Sequence, residues 1–146
     1  MRESARSLNQ PNGITLSKNQ DLLYIGGNQL KKYPVMADGS RGAGATFVPG
    51  ATTDRMVIDC ADNLYAAASG TVNVYSSAGV LLGHIDVPSL SQITNVAFGG
   101  ADHETLYVSG QGAGATQKGL FKVPMKFAGF PLLGSFCSAQ LTAWSS

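Results

Sequence analysis

Three short polar side chains recur at one place in a repeating sequence. Asn12, Asp54 and Asn95 stand 42 and 41 residues apart, and each precedes a Leu-Tyr pair by 10 or 11 residues. Amide and carboxylate oxygens accept hydrogen bonds and suit hard cations. Brought together, they form a ring of oxygen donors able to hold an ion or orient a polar substrate. Arg55 follows Asp54 directly, and its guanidinium could close such a site or pair with a substrate carboxylate. Asn and Asp are also favoured in turns for local reasons. Asn12-Gly13 alone is as consistent with a turn as with a site; the shared register of three positions favours a site.

The elements that must position these residues are short strands. The pairs Leu23-Tyr24, Leu64-Tyr65 and Leu106-Tyr107 mark a repeat of about 41 residues. Each pair opens a second strand, and a first strand precedes it: Ile14 to Leu16, Met56 to Ile58 and Val96 to Phe98. Third strands are expected over 29–33, 71–75 and 119–123, and fourth strands over 45–48, 80–87 and 131–134. Four strands per repeat describe a propeller blade. The spacing therefore predicts an all-β chain of three four-stranded antiparallel blades, about 11–50, 51–91 and 92–137, followed by a short tail. The first strand of a blade is innermost, so Asn12, Asp54 and Asn95 are expected to converge at one axial mouth. No stretch of a dozen residues keeps a helical apolar period.

Composition narrows the partners. The net charge is +1 and only 13% of residues are charged, with no basic stripe, which argues against nucleic acid. No apolar run approaches a membrane span, and residues 1–8 lack the apolar core of a signal peptide. Cys60 and Cys137 lie far apart with no metal spacing, and the expectation is two reduced thiols in a cytoplasmic protein rather than a disulfide. His84 and His103 are expected in an outer strand and a surface turn. Asp21, Asp59, Asp62 and Asp102 are expected to form turns at the end remote from Asn12. Phe127, Phe130, Phe136 and Trp144 crowd the C-terminal tail, which is expected to cover an exposed blade edge.

The same residues carry a family likeness. Pro11-Asn12-Gly13-Ile14-Thr15-Leu16-Ser17 resembles the fourth blade of the gluconolactonase and regucalcin family, and Thr53-Asp54-Arg55-Met56-Val57-Ile58-Asp59 resembles its fifth. Thr94-Asn95-Val96-Ala97-Phe98-Gly99-Gly100, with Thr105 to Ser109 and Gly119 to Val123, resembles its final blade. The resemblance implies a six-bladed propeller, one divalent cation in the axial mouth, and hydrolysis of sugar lactones. It places metal ligands at Asn12 and Asp54, gives Asp54 the further role of general base, and leaves Asn95 and Arg55 to line the substrate. Calcium is the first candidate cation, with magnesium, manganese or zinc as others. Arg55 stands where the family motif has glycine.

The likeness covers only three blades of six, without the family's N-terminal Glu ligand or its third-blade Asn. A homodimer closing a six-bladed ring is the expected assembly, with a sugar-lactone-like substrate at its mouth. The alternative is a non-catalytic half-propeller that binds a cation or small ligand, or serves as an interaction module.

Overall fold

A computed structural model describes residues 10–112, 114, 118–131 and 137. Eleven strands follow one another: β1 (Ile14–Leu16), β2 (Leu22–Ile25), β3 (Leu30–Pro34), β4 (Ala45–Val48), β5 (Met56–Ile58), β6 (Leu64–Ala67), β7 (Thr71–Tyr75), β8 (Leu81–Asp86), β9 (Gln92–Gly99), β10 (Thr105–Gln111) and β11 (Lys118–Pro124). They form antiparallel sheets in the orders β1-β2-β3-β4, β5-β6-β7-β8 and β9-β10-β11. No α-helix occurs among the described residues. The fourth strand expected in the third blade lies, apart from Pro131, outside the described residues. So do Phe136 and Trp144 of the tail.

Alternation along the strands explains the stacking. Successive side chains point to opposite faces of a sheet, so each blade offers one face forward and one backward. Tyr24, from β2, and Phe47 pack with Met56, Ile58, Leu64 and Tyr75 of the second blade. Tyr65 packs in turn with Val96, Leu106 and Val108 of the third, and its ring meets Phe98 edge-on with centroids 5.1 Å apart. The repeated tyrosine is thus the forward anchor of the first two blades. The inner strands β1, β5 and β9 run side by side.

The turns at one end are held by carboxylates. Asp59 is fully buried and accepts the backbone N–H groups of Ala61 and Asn63, the Asn63 amide and the Tyr65 hydroxyl, all at 2.9–3.0 Å. In the first blade Ser17 donates to Asp21 at 2.7 Å. Asp62 accepts the backbone N–H of Lys18 at 2.8 Å, and the Lys18 ammonium donates to the Cys60 carbonyl at 2.8 Å. These bonds tie the first blade to the second. Burial, followed by the nearby Asp59 carboxylate, pushes the Tyr65 phenol well above its ordinary value.

The expectation of reduced thiols is corrected. Cys60 and Cys137 form a disulfide with Cα atoms 5.2 Å apart. Its physical basis is the path of the chain after β11, which runs back to the second blade. The Cys60 N–H donates to the Ala128 carbonyl and the Phe130 N–H to the Ile58 carbonyl, each at 2.9 Å, around an Asp59–Gly129 bridge. This strap brings the distant cysteine within bonding range. The pairing removes the ground that reduced thiols gave for a cytoplasmic setting. No helix among the described residues is long and apolar enough to cross a membrane.

Candidate functional site

The site begins with a backbone irregularity repeated in each blade. The Asn12 N–H donates to the Gly26 carbonyl at 2.9 Å, while the Gly26 N–H donates to the Gly13 carbonyl at 2.8 Å. Two residues of the inner strand's approach therefore oppose one residue of its neighbour, which is a β-bulge. In the second blade the Asp54 N–H donates to Ala67 at 3.1 Å and the Ala67 N–H to Arg55 at 2.9 Å. In the third, Ser109 faces Asn95 but Gly110 faces Ile93, so Thr94 is the extra residue. Bulges re-aim side chains at sheet rims. Here they turn the first bulge residue of the first two blades, Asn12 and Asp54, towards one mouth.

The bulge also refines the register. Leu23, Leu64 and Leu106 pair with Leu16, Ile58 and Phe98. Counting back four residues from those partners gives Asn12, Asp54 and Thr94; counting back three gives Gly13, Arg55 and Asn95. The position shared with Asn12 and Asp54 is thus Thr94, and Asn95 belongs with Arg55 at the second bulge position. Both Asn95 and Arg55 are exposed, and neither lines the cavity around Asn12 and Asp54. Thr94 instead donates its hydroxyl to the Ser109 carbonyl at 3.3 Å.

Asn12 and Asp54 do come together. The Asn12 Nδ2 donates to Asp54 Oδ1 at 3.0 Å, from one blade to the next. Repeated backbone bonds fix the spacing: Thr53 N–H to the Gly27 carbonyl at 3.1 Å, and Ile93 N–H to the Ala68 carbonyl at 3.3 Å. Gly13 is needed for the close approach. A Cβ at that position would lie 2.5 Å from the Asp54 carbonyl oxygen.

A cavity of about 260 Å³ opens over the pair. Its rim carries the amides of Gln10, Asn28 and Gln92, and Asp54 is its one charged member among the described residues. The amides are already oriented: Asn28 donates to Gln10 at 3.0 Å and Gln111 to Gln92 at 2.8 Å. Nothing in the sequence repeat marks these rim amides: Gln10 and Asn28 sit in loops, and Gln92 opens β9 ahead of the repeated positions. A hard cation fits this donor set in kind, since the lining side chains offer amide, carboxylate and hydroxyl oxygens and no sulfur or imidazole. Asn12 Oδ1 and Asp54 Oδ1, which keeps a further lone pair beside its bond from Asn12 Nδ2, are the donors this chain would offer it. No group of three or more His, Cys, Asp or Glu side chains gathers among the described residues.

A family model described as the SMP-30/Gluconolactonase/LRE-like region matches residues 1–111. The chain belongs to this family. Similar members include the pentonolactonase XacC of Haloferax volcanii, 32% identical over 122 residues, with 75% of this chain and 42% of that protein covered. The gluconolactonase of Xanthomonas campestris superposes with a TM-score of 0.67 at 25% identity, over 80% of this chain and 38% of its own. A regucalcin of Agrobacterium tumefaciens, described as calcium-binding, superposes at 0.70 with 24% identity, over 82% and 47%. The chain therefore spans less than half the length of these gluconolactonase-family relatives, and its sheets are propeller blades. His84 and His103 stand apart from the mouth: His84 lies in β8 beside Asp86, at 3.6 Å, and His103 in the turn before β10.

Proposed function

We propose that the mouth around Asn12 and Asp54 is part of a cation-dependent site that hydrolyses sugar-lactone-like cyclic esters. The inter-blade bond between Asn12 and Asp54 carries this reading, within a family whose members include a pentonolactonase and a gluconolactonase. Asn12 and Asp54 would hold the cation, calcium before magnesium, manganese or zinc. The remaining oxygen ligands would come from water or further blades, since Ca²⁺ takes about six to eight. When bound, the cation polarises the ester carbonyl and lowers the pKa of a water.

The chain's own part is positional and basic. The Asn12 amide fixes one oxygen of Asp54, leaving the other to accept a proton from water as that water adds to the lactone carbonyl carbon. The ring C–O bond breaks, and the proton passes to the departing alkoxide, giving an open-chain hydroxy acid. The rim amides of Gln10, Asn28 and Gln92 are suited to hydroxyl groups of a neutral polyol substrate. Arg55 and Asn95, one residue off the metal position, would meet only the periphery of a substrate.

The reading is tested with a panel of aldonolactones, followed by acid release with and without added Ca²⁺. Cation-dependent turnover that vanishes in Asp54→Ala supports it. Cation binding without turnover of any lactone would leave a non-catalytic binding module instead.

A further inference from the structure

A buried hydroxyl stands beside Asp54 at a position that the next blade fills with an apolar side chain. Counting back five residues from Ile58 and Phe98, the partners of Leu64 and Leu106, gives Thr53 and Ile93. Both are buried, at 3% and 1% exposure. Both send their backbone N–H to the preceding blade, to the Gly27 and Ala68 carbonyls. A hydroxyl at such a position is unfavourable unless it finds a partner. The Thr53 hydroxyl donates to the Arg55 carbonyl at 3.1 Å.

That bond spans Asp54. The residue before Asp54 is tied to the first blade through the Gly27 carbonyl, and the residue after it to β6 through the Ala67 N–H. The Thr53 hydroxyl joins these two anchors directly and encloses Asp54 between them. The threonine methyl is engaged as well, since a Cβ on Gly26 would collide with Thr53 Cγ2. With both branches held, the side chain is fixed at χ1. The Arg55 carbonyl already accepts the Ala67 N–H at 2.9 Å, so it would keep a partner without the hydroxyl. What the hydroxyl bond adds is the shape of the bulge that brings the Asp54 carboxylate to the Asn12 amide, 3.0 Å away. We infer that Thr53 is a positioning residue for Asp54, and that its hydroxyl rather than its bulk sets the carboxylate. Its bearing on cation binding rests on the proposed reading of the mouth.

Two substitutions separate hydroxyl from bulk. Thr53→Val removes the hydroxyl and keeps the branched shape, whereas Thr53→Ser keeps the hydroxyl and loses the methyl. The Asn12 side-chain amide, assigned by its loss in Asn12→Ala, reports the bond to Asp54 in proton–nitrogen correlation spectra of the intact chain without cation. Its signals should move towards those of solvated amides in Thr53→Val and stay in place in Thr53→Ser. Ca²⁺ affinity should fall about fivefold in Thr53→Val, the scale of one hydrogen bond, and be restored by serine. Unmoved amide signals in a folded Thr53→Val overturn the inference. So does an equal displacement in Thr53→Ser, which would assign the residue to packing. If the unmodified chain binds no Ca²⁺, the cation reading of the mouth fails, while the amide signals still decide the role of Thr53.

Discussion

Asn12 and Asp54 are 42 residues apart in sequence, yet they share a 3.0 Å hydrogen bond because each is the first residue of the same bulge in neighbouring blades. The bond places an amide against one oxygen of the carboxylate the family likeness marks for chemistry. Asn12→Ala is expected to leave folding within about 1 kcal/mol, the scale of one partly solvated hydrogen bond. Cation affinity should nonetheless fall at least tenfold, read by calorimetry beside a chemical denaturation curve. A large stability loss with unchanged affinity would assign the bond to blade packing instead.

Gly13 should be intolerant of any side chain. In Gly13→Ala the added methyl would stand 2.5 Å from the Asp54 carbonyl oxygen, which forces the two blades apart. The expected cost is roughly 1–3 kcal/mol, with loss of cation binding. Gly39 provides the contrast, with open space around it but a φ of +77°. Gly39→Asn, which tolerates that conformation, should leave binding intact. Denaturant midpoints and cation titrations of both variants distinguish the two effects.

Much of this was legible in the residues. The Leu-Tyr pairs fixed the repeat, and the strands they open begin within a residue of the pair in all three blades. Period-two alternation carries that information directly. The bulge in the third blade was not legible. Thr94 and Asn95 are adjacent, and only hydrogen-bond register shows which shares the position of Asn12 and Asp54. Nor was the disulfide, since 77 residues separate its cysteines and sequence holds no trace of a strap returning to the second blade.

Alkaline pH should destabilise the fold through its buried phenols. Burial, reinforced by Asp62 and Asp21, pushes the Tyr24 phenol up to about 12 from 10.0. Tyr65 shifts in the same direction. The folded state holds these protons after the unfolded chain has lost them. Their stabilising contribution is therefore complete below pH 10.0 and lost as pH rises towards 12. Denaturation curves at successive pH values should show that fall, and Tyr24→Phe should make it shallower.

The Cys60–Cys137 bond should matter to stability more than to the mouth. Reduction by a dithiol, or Cys137→Ser, is expected to cost about 2–4 kcal/mol, since the cross-link closes a long loop. Cation affinity should remain within twofold, because the strap meets the second blade at Ile58–Cys60, at the turn end of β5 rather than at its bulge. Thermal melts with and without reductant, paired with cation titrations, check both parts.

The most direct test of the proposed site is a calorimetric titration of the intact chain with Ca²⁺, run in parallel on Asp54→Ala. Saturable binding by the unmodified chain and its loss in the variant is the expected result. Equal binding by both, or none by either, would contradict a cation site at Asn12 and Asp54.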